Sequence, residues 1–447
     1  MPRFLHTADW QIGRQFAGFD AEHAPILAEA RVAAIERLAA LAAEHEVDAV
    51  LVAGDVFDAQ TVSERTLRRS FNAMSGFAGL WLMIPGNHDA ALAESVWTRA
   101  ARLAVVPPNV RPLLAPEISL FAGQGFAVLP APLVQRHTYA DLTAWFDDAV
   151  TPPGLLRIGL AHGSVQGVLP GDIDSANPIA ADRAARARLD YLALGDWHGC
   201  FAVDPRTWYA GTPEPDRFKA NDPGRALLVE IEAPRALPRV TPLPVAQYRW
   251  RSLEAELRVA SDLDALLQSL ASLAPQDVVD LHVDGQLDLA GLQRLRAAIG
   301  EAEARARHLQ ADLSALRLMP TDEDIAALQA DGYLGEVIAE LREAQAGADA
   351  GYARTAQDAL ALLTAALAQR RYAAGAVGVT DAADVADVGD VADSDDPVAA
   401  VEAADAPVAG DGESGEAAAA TETIEAVAAA EAPAATTDVQ SPPESRS

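Results

Sequence analysis

The feature that most constrains this chain is a set of five short apolar runs, each ending in a cluster of oxygen or imidazole donors. The most complete is Ala49-Val50-Leu51-Val52-Ala53, followed by Gly54-Asp55-Val56-Phe57-Asp58. Such a run reads as a strand buried on both faces, and the residues after it lie at the carboxyl edge of a sheet, where open α/β sheets hold ligands. The pattern recurs where Asp9-Trp10-Gln11 follows Arg3-Phe4-Leu5-His6 and where Gly86-Asn87-His88-Asp89 follows Leu80-Trp81-Leu82-Met83-Ile84. It recurs again where His162 follows Ile158-Gly159-Leu160-Ala161 and where Gly195-Asp196-Trp197-His198 follows Tyr191-Leu192-Ala193-Leu194. These donors are the ligand types of hard-to-borderline divalent metals, so the five edges read as one dinuclear metal site. Asp9, Asp55 and Asp196 supply negative charge, and Asn87, His162, His198 and Gln11 supply uncharged ligands. Two ions sharing a carboxylate suit phosphate esters, because they clamp phosphoryl oxygens and lower the pKa of a shared water.

With 447 residues, the chain has room for two or three domains. A single cysteine, Cys200, excludes an intramolecular disulfide framework and reads as a small residue filling space beside the site. No apolar run reaches the roughly 18 to 20 residues of a membrane span, and the N-terminus lacks a signal-peptide layout, so the expected location is cytoplasmic, with no membrane. The formal charge of -31 argues against a nucleic-acid partner at first sight. Residues 373–447 carry 17 acids and one Arg, which leaves -15 for the rest. Any DNA contact must therefore come from a local arginine-bearing surface.

Along the chain, residues 1–235 alternate apolar strands with helical stretches, as a layered α/β domain does. Helices are expected over about 21–45, 62–78 and 138–149, with a hairpin region over 107–135. Pro234 to Pro244 reads as a hinge. Residues 245–318 then repeat strand and helix as a small β-α-β-α-β cap, with a helix capped by Ser261. Residues 319–374 are helical and carry a stripe of Leu360, Leu363 and Leu367, with Leu362 beside it. The stripe has two readings, packing against the cap or docking a partner. Residues 375–447 lack aromatics and read as a disordered, acidic, Ala-rich tail.

Taken together, His6-Thr7-Ala8-Asp9-Trp10, Gly54-Asp55-Val56-Phe57-Asp58, Gly86-Asn87-His88-Asp89, Ala161-His162-Gly163 and Gly195-Asp196-Trp197-His198 resemble, in order and spacing, the calcineurin-like metallophosphoesterases. Val56-Phe57 and the later Ala210-Gly211-Thr212-Pro213 are most similar to the SbcD-type DNA repair exonuclease branch. The resemblance covers about residues 1–232. It implies an α/β fold, a four-layer αββα sandwich with the small α+β cap as a DNA-binding domain, and two divalent ions, manganese first and magnesium second. By the same resemblance Asp9, Asp55 and His198 hold one ion, and Asp55, Asn87, His162 and Asp196 hold the other. His88 acts at the phosphate or leaving oxygen, Asp89 orients it, and Asp58 and His6 support from behind.

The resemblance further implies a hydrolase that cuts DNA phosphodiesters with a metal-bridged hydroxide, as a 3′-to-5′ exonuclease and single-strand endonuclease. Its partners would be DNA and an SbcC-like coiled-coil ATPase docked on residues 319–374, with a homodimer left open. Arg14, Arg65, Arg68 and Arg69 are the expected DNA contacts, although a solvated helix face explains the last three equally well. Two positions depart from the family, which usually has His at Gln11 and at Asp196. Gln11 offers a weaker carbonyl ligand, and Asp196 adds a hard anionic one that favours Mn²⁺ or Mg²⁺. These departures keep two alternatives in view, a small-substrate phosphodiesterase and a weakly catalytic scaffold for the ATPase. Trp10 and Trp197 either wall the site or stack an unpaired base. His23, His45, His137, His282 and His308 are expected to be structural or solvent-facing.

Overall fold

The computed structural model describes residues 2–168, 176–327, 332–347 and 349–377. Two six-stranded sheets form the first part of the molecule. The first runs in the order Arg239–Pro244, Arg225–Glu230, Arg3–Thr7, Ala49–Ala53, Leu80–Ile84, Val110–Pro112. The second runs Phe201–Asp204, Thr207–Tyr209, Tyr191–Gly195, Leu156–His162, Phe126–Ala131, Ser119–Phe121. In each sheet the central strands are parallel, so their carboxyl ends emerge on one edge. The sheets face each other across a shared core that includes Phe4, Leu51, Leu82 and Leu227 from the first and Phe126, Leu160, Tyr191 and Ala193 from the second. This explains why the runs carry no polar alternation: both faces of every central strand are covered.

The outer face of the first sheet packs on His23–Glu44 and Glu64–Ala73, with Val96–Arg102 beside them. Ile35, Leu38, Ala39 and Ala42 repeat at helical spacing along the buried side of the first helix. Ser63 caps the second by accepting from Thr66 N. The third was not expected, because its box pairs Ser95 with Thr98 instead of the Glu or Gln that flags a capping box in sequence. The outer layer of the second sheet is thinner. Instead of a helix over 138–149 there is one 3₁₀ turn, Ala144–Asp147. Thr138 Oγ1 accepts from Ala140 N and Asp141 Oδ1 accepts from Thr143 N, so local side-chain bonds outcompete the helix.

The stretch read as a hinge is also different. Arg239–Pro244 is an edge strand paired antiparallel with Arg225–Glu230, a place where missing proline N–H groups do no harm. Beyond it, Arg249–Leu257, Asp277–Leu287 and His308–Asp312 form a parallel sheet extended by Leu316–Leu318, with the helices Ala260–Ala271 and Leu289–Arg305. Leu257, Leu266, Leu270, Leu281 and Leu295 give it a core of its own. Its first helix is not capped by Ser261; Asp262 accepts from the backbone N–H of Arg258 and Val259 instead. A small aromatic joint, with Phe16, Phe19, Phe218, Tyr248 and Trp250, seats this sheet against the first helix.

Asp322–Ala327, Tyr333–Gln345 and Ala350–Val377 complete the described chain. Leu360 and Leu363 pack with Ile325 and Ile338, and Leu367 reaches Leu289 and Leu318. The leucine stripe is thus used internally, and only Leu362, 73% exposed, faces outward. The last helix continues to Val377, and the rest of the expected tail lies outside the described residues. No helix among the described residues is long and apolar enough to cross a membrane.

Candidate metal centre

The carboxyl edges of both sheets converge on one cluster. Asp9, Asp55 and His162 are buried and each offers a ligand atom within 4.8 Å of the others. His162 Nε2 lies 3.7 Å from Asp55 Oδ1 and 3.7 Å from Asp196 Oδ1, and 3.0 Å from Asn87 Oδ1. Gln11 Nε2 lies 3.3 Å from His198 Nε2. All seven expected ligand side chains are brought to this edge.

The backbone there is unusual. Asp9, Gln11, Asp55 and Asp196 all have positive φ, at 55°, 43°, 51° and 101°. Such conformations cost about 1–3 kcal/mol each in a non-glycine residue, and the carboxylates recover part of that by accepting backbone bonds. Asp9 accepts from Asp196 N at 3.1 Å and Asp55 from His88 N at 2.9 Å. Close packing adds a steric condition: a Cβ on Gly195 would stand 2.0 Å from Ala53 O and 2.9 Å from His162 Nδ1.

The donor set fits divalent cations. Among the described residues, no Lys or Arg forms an ion pair with Asp9 or Asp55, although both are buried. Burial, with Asp55 and Asp196 alongside, raises the Asp9 pKa to about 6 despite two opposing histidines. Burial also raises Asp196. For His162 burial would lower the pKa, but Asp55, Asp9 and Asp196 outweigh it and bring the value to about 9. The proton on Nε2 then donates to Asn87 Oδ1; on a neutral ring the amide would turn over and give its nitrogen to Asp55. A divalent cation and that proton compete for the same place. Both imidazoles are also oriented from behind, as metal-binding histidines are. His162 Nδ1 donates to Ala53 O at 2.8 Å and His198 Nδ1 to Asp216 Oδ1 at 3.1 Å.

Several expected roles change. Gln11 turns its amide nitrogen to His198, and its Oε1, the expected ligand atom, accepts from Arg14 Nη1 at 3.2 Å. His88 Nδ1 donates to the backbone oxygen of Asp58 at 2.9 Å, so Asp58 orients it through its carbonyl. Asp89 does not orient His88. It is fully buried and accepts from the N–H groups of Gly86, Val56 and Phe57, which ties the second and third strand ends together. Burial, with Asp55 nearby, raises its pKa to about 7 although the backbone donors oppose this. His6 bridges the sheets, with Nδ1 2.9 Å from Tyr191 Oη, and burial holds its pKa down to about 3.

Trp10 is buried and donates to Thr7 Oγ1, so it cannot stack a base; Trp197 carries Lys219 Nζ 4.6 Å from its ring centroid. Cys200 is half-buried in the inter-sheet core rim. Arg68 and Arg69 are engaged by Glu64 and Glu29, and Arg65 is exposed on the same helix. Arg14 stands at the site, 3.5 Å from both Asp58 and Asp216.

Sequence reasoning missed Arg31, Glu214 and Asp216. Arg31 is buried, and its guanidinium donates to Trp10 O, Asp9 O, Glu214 O and Thr212 Oγ1. It fastens the loop that carries Asp9 to the loop after Gly211. Glu214 accepts from the N–H groups of Gln247 and Tyr248 and pairs with Arg37, which ties that loop to the base of the cap. Asp216 is buried, yet His198, Arg217 and Arg31 hold its carboxyl well below the usual range. The available signal was an arginine at the centre of an apolar helix face, between Leu27 and Ala34.

Comparison with known proteins agrees with this geometry. Residues 2–183 match the family described as calcineurin-like phosphoesterase. The chain is 39% identical over 257 residues to the SbcD component of the nuclease SbcCD from Escherichia coli (strain K12), covering 48% of this chain and 61% of that protein. It is 38% identical over 96 residues to the component of the same name from Rhodobacter capsulatus, covering 20% of this chain and 22% of that one. DNA double-strand break repair protein Mre11 of Methanosarcina acetivorans is 22% identical over 304 residues, covering 64% of this chain and 46% of its own length. The chain thus spans less than two thirds of these relatives.

Proposed function

We propose that the protein, whose residues 2–183 match the calcineurin-like phosphoesterases and which is similar to the SbcD component of the nuclease SbcCD, is a manganese-dependent DNA repair nuclease. The observation that carries this reading is the meeting of Asp9, Asp55, Asn87, His162, Asp196 and His198 at one edge, with His88 at its mouth. Bound there, two divalent ions would hold the non-bridging oxygens of a phosphodiester and acidify a water. By likeness to that family, Asp9, Asp55 and His198 would hold one ion and Asp55, Asn87, His162 and Asp196 the other. His88 Nε2 lies 3.9 Å from Asp55 Oδ2 while Nδ1 is fixed by Asp58 O, so Nε2 is the atom left to pass a proton to the leaving oxygen. Arg14, Arg217 and Lys219 rim the site and are its proposed phosphate contacts.

The cap's role is narrower than a duplex reader. Glu254, Glu256, His282, Asp284 and Asp312 line a hollow on its sheet, and that acidic face would repel phosphate. DNA is therefore assigned to the rim of the phosphoesterase domain, and the C-terminal helices to a coiled-coil ATPase, by likeness to the SbcCD nuclease. The single cysteine suits a reducing, cytoplasmic setting.

End-labelled linear duplex DNA with Mn²⁺ tests the substrate class. Cleavage that exceeds turnover of a small chromogenic diester supports the nuclease; diester turnover with intact DNA, with or without the ATPase, supports the small-substrate alternative. Metal loading carries its own expectation. His162 must release its Nε2 proton to a cation, and its pKa is raised to about 9, while that of Asp9 is raised to about 6. Affinity for the Mn²⁺ held by His162 should therefore rise about tenfold per pH unit between these two values, one proton leaving as that ion binds, while the ion held by Asp9 should weaken only below the lower one. A titration series showing flat affinity across that window would contradict this assignment of His162.

A further inference from the structure

Asp20, His23 and His308 form a second group able to hold a metal, with one ligand atom from each lying within 4.8 Å of the others. Asp20 and His23 open the first helix of the phosphoesterase domain, and His308 begins the third strand of the cap sheet. His308 was expected to be structural or solvent-facing, and its ring centroid lies 4.7 Å from that of Phe19, tilted, and 4.7 Å from that of His23, edge to face. Its Nε2 is buried and has no hydrogen-bond partner among the described residues. A buried imidazole nitrogen without a partner loses the hydration it would have in water.

We propose that Asp20, His23 and His308 bind a divalent transition metal, with zinc the best match, that pins the cap to the first helix. Two imidazoles and one carboxylate form the ligand set of a three-residue zinc site, with a water left to complete a tetrahedron. Borderline ions prefer it, whereas the oxygen-rich strand-edge centre favours harder ones. The site is partly assembled. Asp20 Oδ1 accepts from the N–H groups of Glu22 and His23 and lies 2.7 Å from His23 Nδ1, so carboxylate and ring are already fixed beside each other. Burial and the neighbouring His23 lower the pKa of His308, which favours the neutral, ligating form. Phe19, with Trp250 5.3 Å from it, gives the site an apolar wall.

The position gives the ion something to control. The segment that ends at Asp20 begins at Asp9 and passes through Gln11, Arg14, Phe16 and Phe19, so it links the strand-edge centre to the cap joint. Fixing His308 to His23 would hold that segment at both ends.

The test counts Co²⁺ bound to the full-length protein and follows its visible absorption. Wild type should bind one more Co²⁺ per folded chain than His308→Gln or His23→Ala, and Zn²⁺ should raise its melting temperature by about 2 °C or more beyond the rise it gives either variant. Equal Co²⁺ counts and equal Zn²⁺ responses in folded variants and wild type would overturn the proposal. A readout free of variants is the imidazole ¹H–¹⁵N spectrum of wild-type protein. Zn²⁺ should shift the resonances of His23 and His308 and spare His282, which is paired with Asp280 and Asp312. Unmoved His23 and His308 resonances at saturating Zn²⁺ would also overturn it.

Discussion

His88→Ala should lower turnover of a phosphodiester by about 10²- to 10⁴-fold, the usual range for removing a positioned proton donor, while leaving metal content unchanged. His88 contributes its backbone N–H to Asp55, which the alanine keeps, and among the described residues its ring makes one hydrogen bond, to Asp58 O. The ring is a guest at the mouth of the site, and removing it leaves Asp9, Asp55, Asn87, His162 and Asp196 where they are. The diagnostic pattern is a fall in kcat with an unchanged Mn²⁺ count. A parallel loss of metal would show that His88 is part of the ion-holding set instead, and unaltered turnover would remove it from the mechanism.

Arg31→Met should destabilise the fold by about 3–5 kcal/mol, since a buried cation's partners are left unpaired. Methionine fills much of the arginine's volume, so the loss reports the polar contacts and not a cavity. Trp10 O, Asp9 O, Glu214 O and Thr212 Oγ1 all lose their shared donor. Because the first two flank the turn at Asp9, metal affinity should fall along with stability. Denaturant unfolding with and without Mn²⁺ checks both. A loss under about 1 kcal/mol, within the range of an ordinary surface substitution, would show that the two loops hold their positions without this clamp.

Much of the site was legible because each strand announces itself. A central strand covered on both faces has no polar residues to blur it, and the first donors after it mark the sheet edge. Asp9, Asp55, Asn87, His162, Asp196 and His198 all come from that pattern. What was not legible acts through the backbone or through distant loops. Asp89 sits beside His88 in sequence yet binds the amides of Gly86, Val56 and Phe57, and Asp58 contributes a carbonyl that any residue would carry. Arg31 and Glu214 are 183 positions apart, and no local period connects them. The same limit explains the fold errors. Arg239–Pro244 looks like a linker because prolines are read locally, while its pairing with Arg225–Glu230 is decided by an edge. Residues 138–149 have helical spacing, and backbone hydrogen bonds accepted by the side chains of Thr138 and Asp141 redirect the chain.

The most direct test of the proposed dinuclear centre is electron paramagnetic resonance of the Mn²⁺-loaded protein, with Asp55→Asn beside wild type. Two ions sharing the Asp55 carboxylate should give an exchange-coupled spectrum in wild type. In Asp55→Asn that coupling and phosphodiester turnover should disappear together. A wild-type spectrum of isolated ions only, or an Asp55→Asn protein that hydrolyses as fast as wild type, would contradict the centre described here.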